Sequence, residues 1–276
     1  MRWTFIIFIV PFILTRLAAP RVAGLFFSGG LVSENFLRRQ IPTAVGAVMV
    51  FSSTAGYVLA AWTHEDIRLK VFIFLFALTG MSALGLVDDF MGSSEIKGLK
   101  GHIAAFLKGD LTSGGIKAFG GAALALGFSL FLSKSAIDLV LNIILISLFT
   151  NAVNLFDLRP GRAGKVFILF NFFLFSTALS IQETYLYTSM ALPILGSLLA
   201  FLPFDLSGTM MMGDAGSNAL GIVLGMISVL ILSFPLKIII VLLLISLHIF
   251  TEKYSLTEVI KKNKFLRLID EWGRVK

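Results

Sequence analysis

Long apolar runs separated by short polar segments dominate this chain. They fall near residues 3–19, 44–62, 70–87, 117–133, 136–153, 166–182, 187–203, 218–234 and 236–251. Each is close to the ~20 apolar residues that a helix needs to cross a bilayer. A membrane β-barrel would show alternating segments of about ten residues, and uninterrupted stretches such as Lys237–Ile249 do not alternate. The pattern predicts an all-α integral membrane protein, a polytopic bundle of about nine transmembrane helices. Glycines inside the runs (Gly120, Gly121 and Gly127; Gly221 and Gly225) predict close helix packing, since helices in lipid associate through small residues that let their backbones meet.

Composition agrees with that pattern. Of 276 residues, 57% are hydrophobic and 14% charged, whereas an ordinary soluble domain carries about 25% charge. The mean hydropathy is +0.92. With 27 Phe and no Gly-X-Y period, disorder and collagen are excluded. The absence of Cys excludes disulfides, zinc–thiolate sites, iron–sulfur clusters and thiol nucleophiles.

Charge predicts orientation. With the N-terminus outside, segments 20–43, 88–117, 154–165, 204–217 and 252–276 face the cytoplasm and carry 17 Lys and Arg. The opposite side carries five: Arg2, Arg68, Lys70, Lys134 and Lys237. That is the positive-inside asymmetry of a multi-pass protein of the cell membrane. The net charge of +7 is explained by topology and the lipid bilayer's anionic inner leaflet, with no nucleic acid required. Met1-Arg2, an apolar stretch and Leu17-Ala18-Ala19 have some likeness to a cleaved signal peptide. Removing that run would set every later loop against the charge count, so it reads as a span.

Acids next to apolar runs are costly unless they sit at helix ends or in wet cavities. Glu65, Asp66 and Glu183 read as solvated loop charges on the outer side, and Asp138 as the start of a helix whose dipole favours it. Three polar clusters sit at span–loop junctions on the cytoplasmic side: Asp88-Asp89, Asn151-x-x-Asn154-x-x-Asp157, and Gly213-Asp214-Ala215-Gly216-Ser217. Adjacent carboxylates repel, and a divalent cation or a substrate proton relieves them. Oxygen ligands in this number suit Mg²⁺, which takes one or two carboxylates plus substrate phosphate oxygens. A spacing of three places Asn151, Asn154 and Asp157 near one helix face. Gly213 and Gly216 would let backbone N–H groups approach a phosphate where the next helix begins, with Ser217 as its N-cap. Alone, these clusters read as a solvated helix end, a capping pair and a plain turn. Together, at one depth and on one side, they predict one site.

The stretches Ile41-Pro42-Thr43-Ala44-Val45-Gly46, Gly85-Leu86-Val87-Asp88-Asp89, Asn151-Ala152-Val153-Asn154-Leu155-Phe156-Asp157 and Met212-Gly213-Asp214-Ala215-Gly216-Ser217-Asn218-Ala219-Leu220-Gly221 resemble, in order, those of the polyprenyl-phosphate N-acetylhexosamine-1-phosphate transferases (glycosyl transferase family 4). That superfamily includes the phospho-N-acetylmuramoyl-pentapeptide transferases of peptidoglycan synthesis. The resemblance implies Mg²⁺-dependent transfer of a sugar 1-phosphate from a UDP-sugar to polyprenyl phosphate, with release of UMP. It implies catalytic roles for Asp88, Asp89 and Asp214, and metal contacts for Asp214, Asp89 and Asp157. Asn151, Asn154, Asp157, Lys117, Gly213 and Ser217 become substrate-binding candidates, with Lys97, Lys100 and Lys108 competing for the role of Lys117.

Four departures stand out. The usual Asp-Gly-x-Asp-Gly reads Asp157-Leu158-Arg159-Pro160-Gly161-Arg162-Ala163 here, so Pro160 replaces the second acid. Arg159 and Arg162 then become candidates to bind phosphate directly, or serve topology alone. The loop 88–117 is long. The family's histidine-rich motif is absent: His64 is predicted outside, His248 lies in a span and His102 falls in another loop. No further span follows residue 251.

The chain thus divides into a transmembrane domain, 1–251, and a basic tail, 252–276. Ser255-Leu256-Thr257-Glu258 reads as a capping box. Leu256, Val259, Ile260, Leu266, Ile269 and Trp272 predict one amphipathic helix over 255–272, lying on the inner leaflet or docked on a soluble partner. A non-catalytic relative that binds polyprenyl phosphate or a nucleotide is the alternative to a transferase. A transporter would place its polar groups in broken helices at mid-membrane. A homodimer is compatible with this architecture.

Overall fold

The computed structural model describes residues 2–91 and 112–275. Among these, nine long helices take up the nine apolar runs: α1 (Arg2–Ser28), α2 (Ala47–Thr63), α3 (Arg68–Met91), α4 (Ser113–Leu130), α5 (Ala136–Phe156), α6 (Arg162–Ser180), α7 (Thr184–Leu206), α8 (Gly213–Ile231) and α9 (Phe234–Lys253). Seven are long and apolar enough to cross a membrane; α2 is a shorter apolar helix. An antiparallel hairpin, β1 (Val32–Glu34) and β2 (Gln40–Pro42), joins α1 to α2 with Ser33 opposite Ile41. The chain is an all-α polytopic membrane protein.

The bundle is organised around α8, which packs against α2, α3, α5, α6 and α7. From Ala215 to Ile231 every residue but Leu230 is buried. A helix enclosed on all sides is apolar all round, and α8 carries no charge after Asp214. The predicted close packing is present at Gly221 and Gly225. A Cβ on Gly221 would come within 2.5 Å of the Thr150 Cα, and one on Gly225 within 2.6 Å of the Ile146 Cα. These two glycines let the backbones of α5 and α8 touch.

The two ends of the bundle differ. At one end Trp3 meets Trp62 edge-on at 5.6 Å and His64 meets Tyr185 at 4.3 Å. Lys237, which the charge pattern treats as a loop cation, is buried there. Its ammonium donates to Asp138 (3.1 Å) and Asn142 (2.9 Å), tying α9 to the first turns of α5. The opposite end gathers the ends of α3, α5 and α7, the starts of α4, α6 and α8, the hairpin and the tail.

The tail is two helices, α10 (Leu256–Lys262) and α11 (Lys264–Glu271), rather than one over 255–272. Asn263 makes the break. Its Oδ1 accepts the N–H groups of Phe265 (3.0 Å) and Leu266 (3.1 Å), so an interior residue becomes the cap of a second helix. Nor does the capping box form. Ser255 holds the cap position of α10 without a side-chain bond, and Glu258 pairs instead with Lys261.

Candidate functional site

The site is built around the start of α8. Residues 42–46 run beside the segment that precedes it. Met211 N–H donates to Pro42 O (2.8 Å), Val45 N–H to Met211 O (3.1 Å) and Gly46 N–H to Met212 O (2.9 Å). Gly213 then turns the chain into the helix at φ +69°. A Cβ there would lie 2.7 Å from an Asp89 oxygen and 2.8 Å from the Ala44 Cα, so both the conformation and the space require glycine.

The helix has no cap of its own. Asp89, from the last turn of α3, supplies one: Oδ1 accepts Asp214 N–H (3.0 Å) and Oδ2 accepts Ala215 N–H (2.9 Å). A carboxylate suits the positive end of a helix dipole. Two of the backbone donors expected to meet a phosphate, those of Asp214 and Ala215, are therefore engaged by Asp89. Ser217 is not the N-cap either, because α8 begins at Gly213. It is buried in the second turn, where its hydroxyl donates to Asn154 Oδ1 (3.0 Å).

Lys117, in the first turns of α4, is the centre of the polar cluster. Its ammonium donates to Asp88 Oδ2 at 2.5 Å and to Asp214 Oδ2. Asn154 Nδ2 donates to that same Asp214 oxygen at 3.3 Å. Side-chain exposure is 17% for Asp88, 20% for Lys117 and 24% for Asp214. The charges are shielded enough to interact strongly, yet remain reachable. Four helices, α3, α4, α5 and α8, meet in this cluster.

Asp157 caps the end of α5. Burial, then the neighbouring Asp205, Asp214 and Asp89, push its carboxyl well above the usual carboxylate range. Asn151, by contrast, is exposed. A spacing of three advances about 300°, so Asn151 is turned by about 60° from Asn154 and by about 120° from Asp157, off the side that faces the site.

Arg162 is engaged elsewhere than with phosphate. Its guanidinium makes a two-pronged pair with Asp270 of α11 (2.7 and 3.0 Å) and donates to Thr257 Oγ1 (3.2 Å). Arg274 also grips Asp270 and donates to Pro160 O at 2.8 Å. Burial pushes the Asp270 carboxyl up, but the bonds from Arg162 and Arg274 outweigh it and hold the pKa at about 2. The loop is fixed from below by buried Asp205, which accepts Gly161 N–H at 2.7 Å. Arg159 is half-buried in the same loop.

The sequence reading missed Asp205, Asp270 and Arg274. Asp205 carried a signal, an acid ending an apolar run in a segment without Lys or Arg. The Asp270–Arg162 pair carried none, since 108 residues separate its members. Lys97, Lys100, His102 and Lys108 lie outside the described residues.

Among the described residues, no three His, Asp or Glu side chains form a group that could hold a metal ion. The hard oxygens of Asp214 and Asp157 nevertheless suit Mg²⁺ if substrate phosphates complete its shell, as is usual for this ion. Beside the cluster, α3 and α4 enclose an apolar groove of about 750 Å³. It extends from Phe72 and Phe131 to Val87, next to Asp88, over Gly80, Gly120 and Gly127. From residue 72 to 87 of a helix is about 22 Å.

A family model, glycosyl transferase family 4, matches residues 71–232, a span that includes every member of the polar cluster. Curated relatives agree with it. The chain is 29% identical over 249 residues to a phospho-N-acetylmuramoyl-pentapeptide-transferase of Oceanobacillus iheyensis, covering 81% of this chain and 73% of the relative. The protein of that name from Clostridium perfringens is 28% identical over 250 residues, covering 85% and 74%. One from Lactobacillus delbrueckii subsp. bulgaricus is 32% identical over 194 residues, covering 65% and 58%.

Proposed function

The chain belongs to glycosyl transferase family 4, and from that premise we propose that it transfers a sugar 1-phosphate from a UDP-linked amino sugar to polyprenyl phosphate, releasing UMP. The site faces the cytoplasm and serves cell-envelope glycan synthesis. The observation that carries this reading is the Lys117 ammonium, held between Asp88 and Asp214 at the end of an apolar groove. A long apolar chain suits the groove, and a phosphate at its head would meet Lys117.

In the reaction an oxygen of the lipid phosphate attacks the phosphorus that bears the sugar. A new P–O bond forms while the bond from that phosphorus to the bridging oxygen breaks, and UMP departs with that oxygen. Two anions must meet, so positioning and charge neutralisation carry most of the catalysis. Lys117 neutralises the lipid phosphate. Asp88 orients it and takes its proton where it arrives protonated. Asp89, both of whose oxygens are engaged, acts through α8 by fixing Asp214. Asn154 holds the orientation of Asp214 through its hydrogen bond, and Ser217 fixes Asn154 in turn. Asp214 and Asp157 would hold Mg²⁺, which when bound neutralises the diphosphate of the donor.

Purified protein is to be given polyprenyl phosphate, Mg²⁺ and a panel of UDP-sugars, with UMP as readout. UMP that forms only when the lipid phosphate is present supports the reading; none with any donor removes it. Pro160 and the engagement of Arg162 by the tail favour one other reading, a relative that binds the lipid phosphate without transfer. It would show saturable lipid binding and no UMP.

A further inference from the structure

The tail is pinned where helices leave the membrane. Its first helix, α10, starts three residues after α9, a span that ends at Lys253, and the tail's far half is gripped by the first turn of α6, a span that begins at Arg162. There Lys165 caps the end of α11 by donating to the carbonyls of Ile269 (3.0 Å) and Asp270 (2.7 Å), and Arg162 holds the Asp270 carboxylate. We propose that α11 seats its apolar face in the headgroup layer of an anionic bilayer.

Its surface fits that occupant. At about 100° per residue, Asp270 faces the bundle, while Phe265, Leu268 and Trp272 form a stripe on the opposite side. Those three are 68%, 69% and 77% exposed, so most of the stripe is left uncovered. Ile269 widens it on one flank, and Lys264 borders it on the other with Arg267 further round; Lys261 and Lys262 end the preceding helix. An apolar stripe edged by cations is the pattern of a helix lying in an interface, and an anionic leaflet supplies the complementary charge. A soluble partner would have to compete with a surface that the chain leaves at Lys253, eleven residues before α11. This seat requires only that α6 and α9 span a bilayer, and it stands whether or not the site transfers a sugar phosphate.

Trp272 reports on it directly. The chain has three Trp, and the other two, Trp3 and Trp62, lie at the opposite end of the bundle. Full-length Trp3→Phe/Trp62→Phe protein is placed in bilayer discs of equal parts phosphatidylglycerol and phosphatidylcholine, with the phosphatidylcholine brominated on its upper acyl chain. A side chain buried at the headgroup–acyl boundary should lose about half its emission to those bromines and be shielded from aqueous iodide. The variant Phe265→Ser/Leu268→Ser changes only exposed positions, so the bundle stays folded, and it should lose both effects. Emission open to iodide and untouched by bromine overturns the proposal. So does emission shielded from both quenchers, the signature of a protein or second-copy contact.

Discussion

Lys117 alone would be read as one basic residue among many, and the structure makes it the hinge of the site. Its ammonium satisfies two carboxylates from helices far apart in sequence. Removing either acid leaves the ammonium a different partner set without emptying the cluster. Asp88→Asn and Asp214→Asn should therefore insert and fold, yet each should lower UMP release on the order of 10²-fold or more, the usual cost of one group aimed at developing charge. Wild-type turnover in either variant would remove its assigned role. Gly213→Ala belongs to the same scale but acts through backbone. A non-glycine residue in the left-handed region costs about 1–3 kcal/mol, and its Cβ would displace Asp89. Lower thermal stability together with lost activity is expected; a fully stable, active variant would show that α8 can start another way. The acids were legible because charged residues beside apolar runs are rare and few sequence positions could hold them. Their division of labour was not, since Asp89 caps a helix 125 residues later.

Among the elements, apolar periodicity located all nine helices, while their ends moved by several residues where polar partners decide. α1 continues to Ser28 through Pro20 and Arg21, and α8 starts at Gly213 because Asp89 caps it from α3. Asn263 split the tail for the same kind of reason, a local side-chain bond that competes with the helix. Lys237 shows the limit of counting charges: the residue scores as topology, but the fold buries it against Asp138 and Asn142. Breaking a buried pair by removing one partner leaves an uncompensated charge and costs about 3–5 kcal/mol. Lys237→Met should lower the thermal unfolding midpoint clearly, and adding Asp138→Asn should restore much of the loss. A double variant no better than the single would mean the lysine matters for packing alone.

At the scale of the whole molecule, the loop that departs most from the family motif is the one the tail holds. Pro160 stands where an acid was expected, and its carbonyl is bound by Arg274 of the tail. Arg162 is bound by Asp270. The loop's neighbour Asp157 lies among the site carboxylates, so the tail and the site share one support. Nothing in the sequence pairs residue 162 with residue 270, because partner choice across that distance depends on the assembled bundle. The pairing makes a pH prediction with a definite sign. Arg162 and Arg274 hold the Asp270 carboxyl at about 2, below the ordinary value of about 3.9 for an unpaired Asp. A depressed pKa stabilises the clasp fully above the unpaired value, and the stabilisation is lost as pH falls through the lower one. The tail should thus stay docked down to about pH 4 and release between about pH 4 and pH 2. Fluorescence anisotropy of Trp272, in the Trp3→Phe/Trp62→Phe background and in neutral detergent, should fall across that window. Asp270→Asn, which keeps the shape but not the charge, should show the low anisotropy already at neutral pH. Anisotropy that is high and flat in both proteins would mean that the tail is held by something other than this carboxylate.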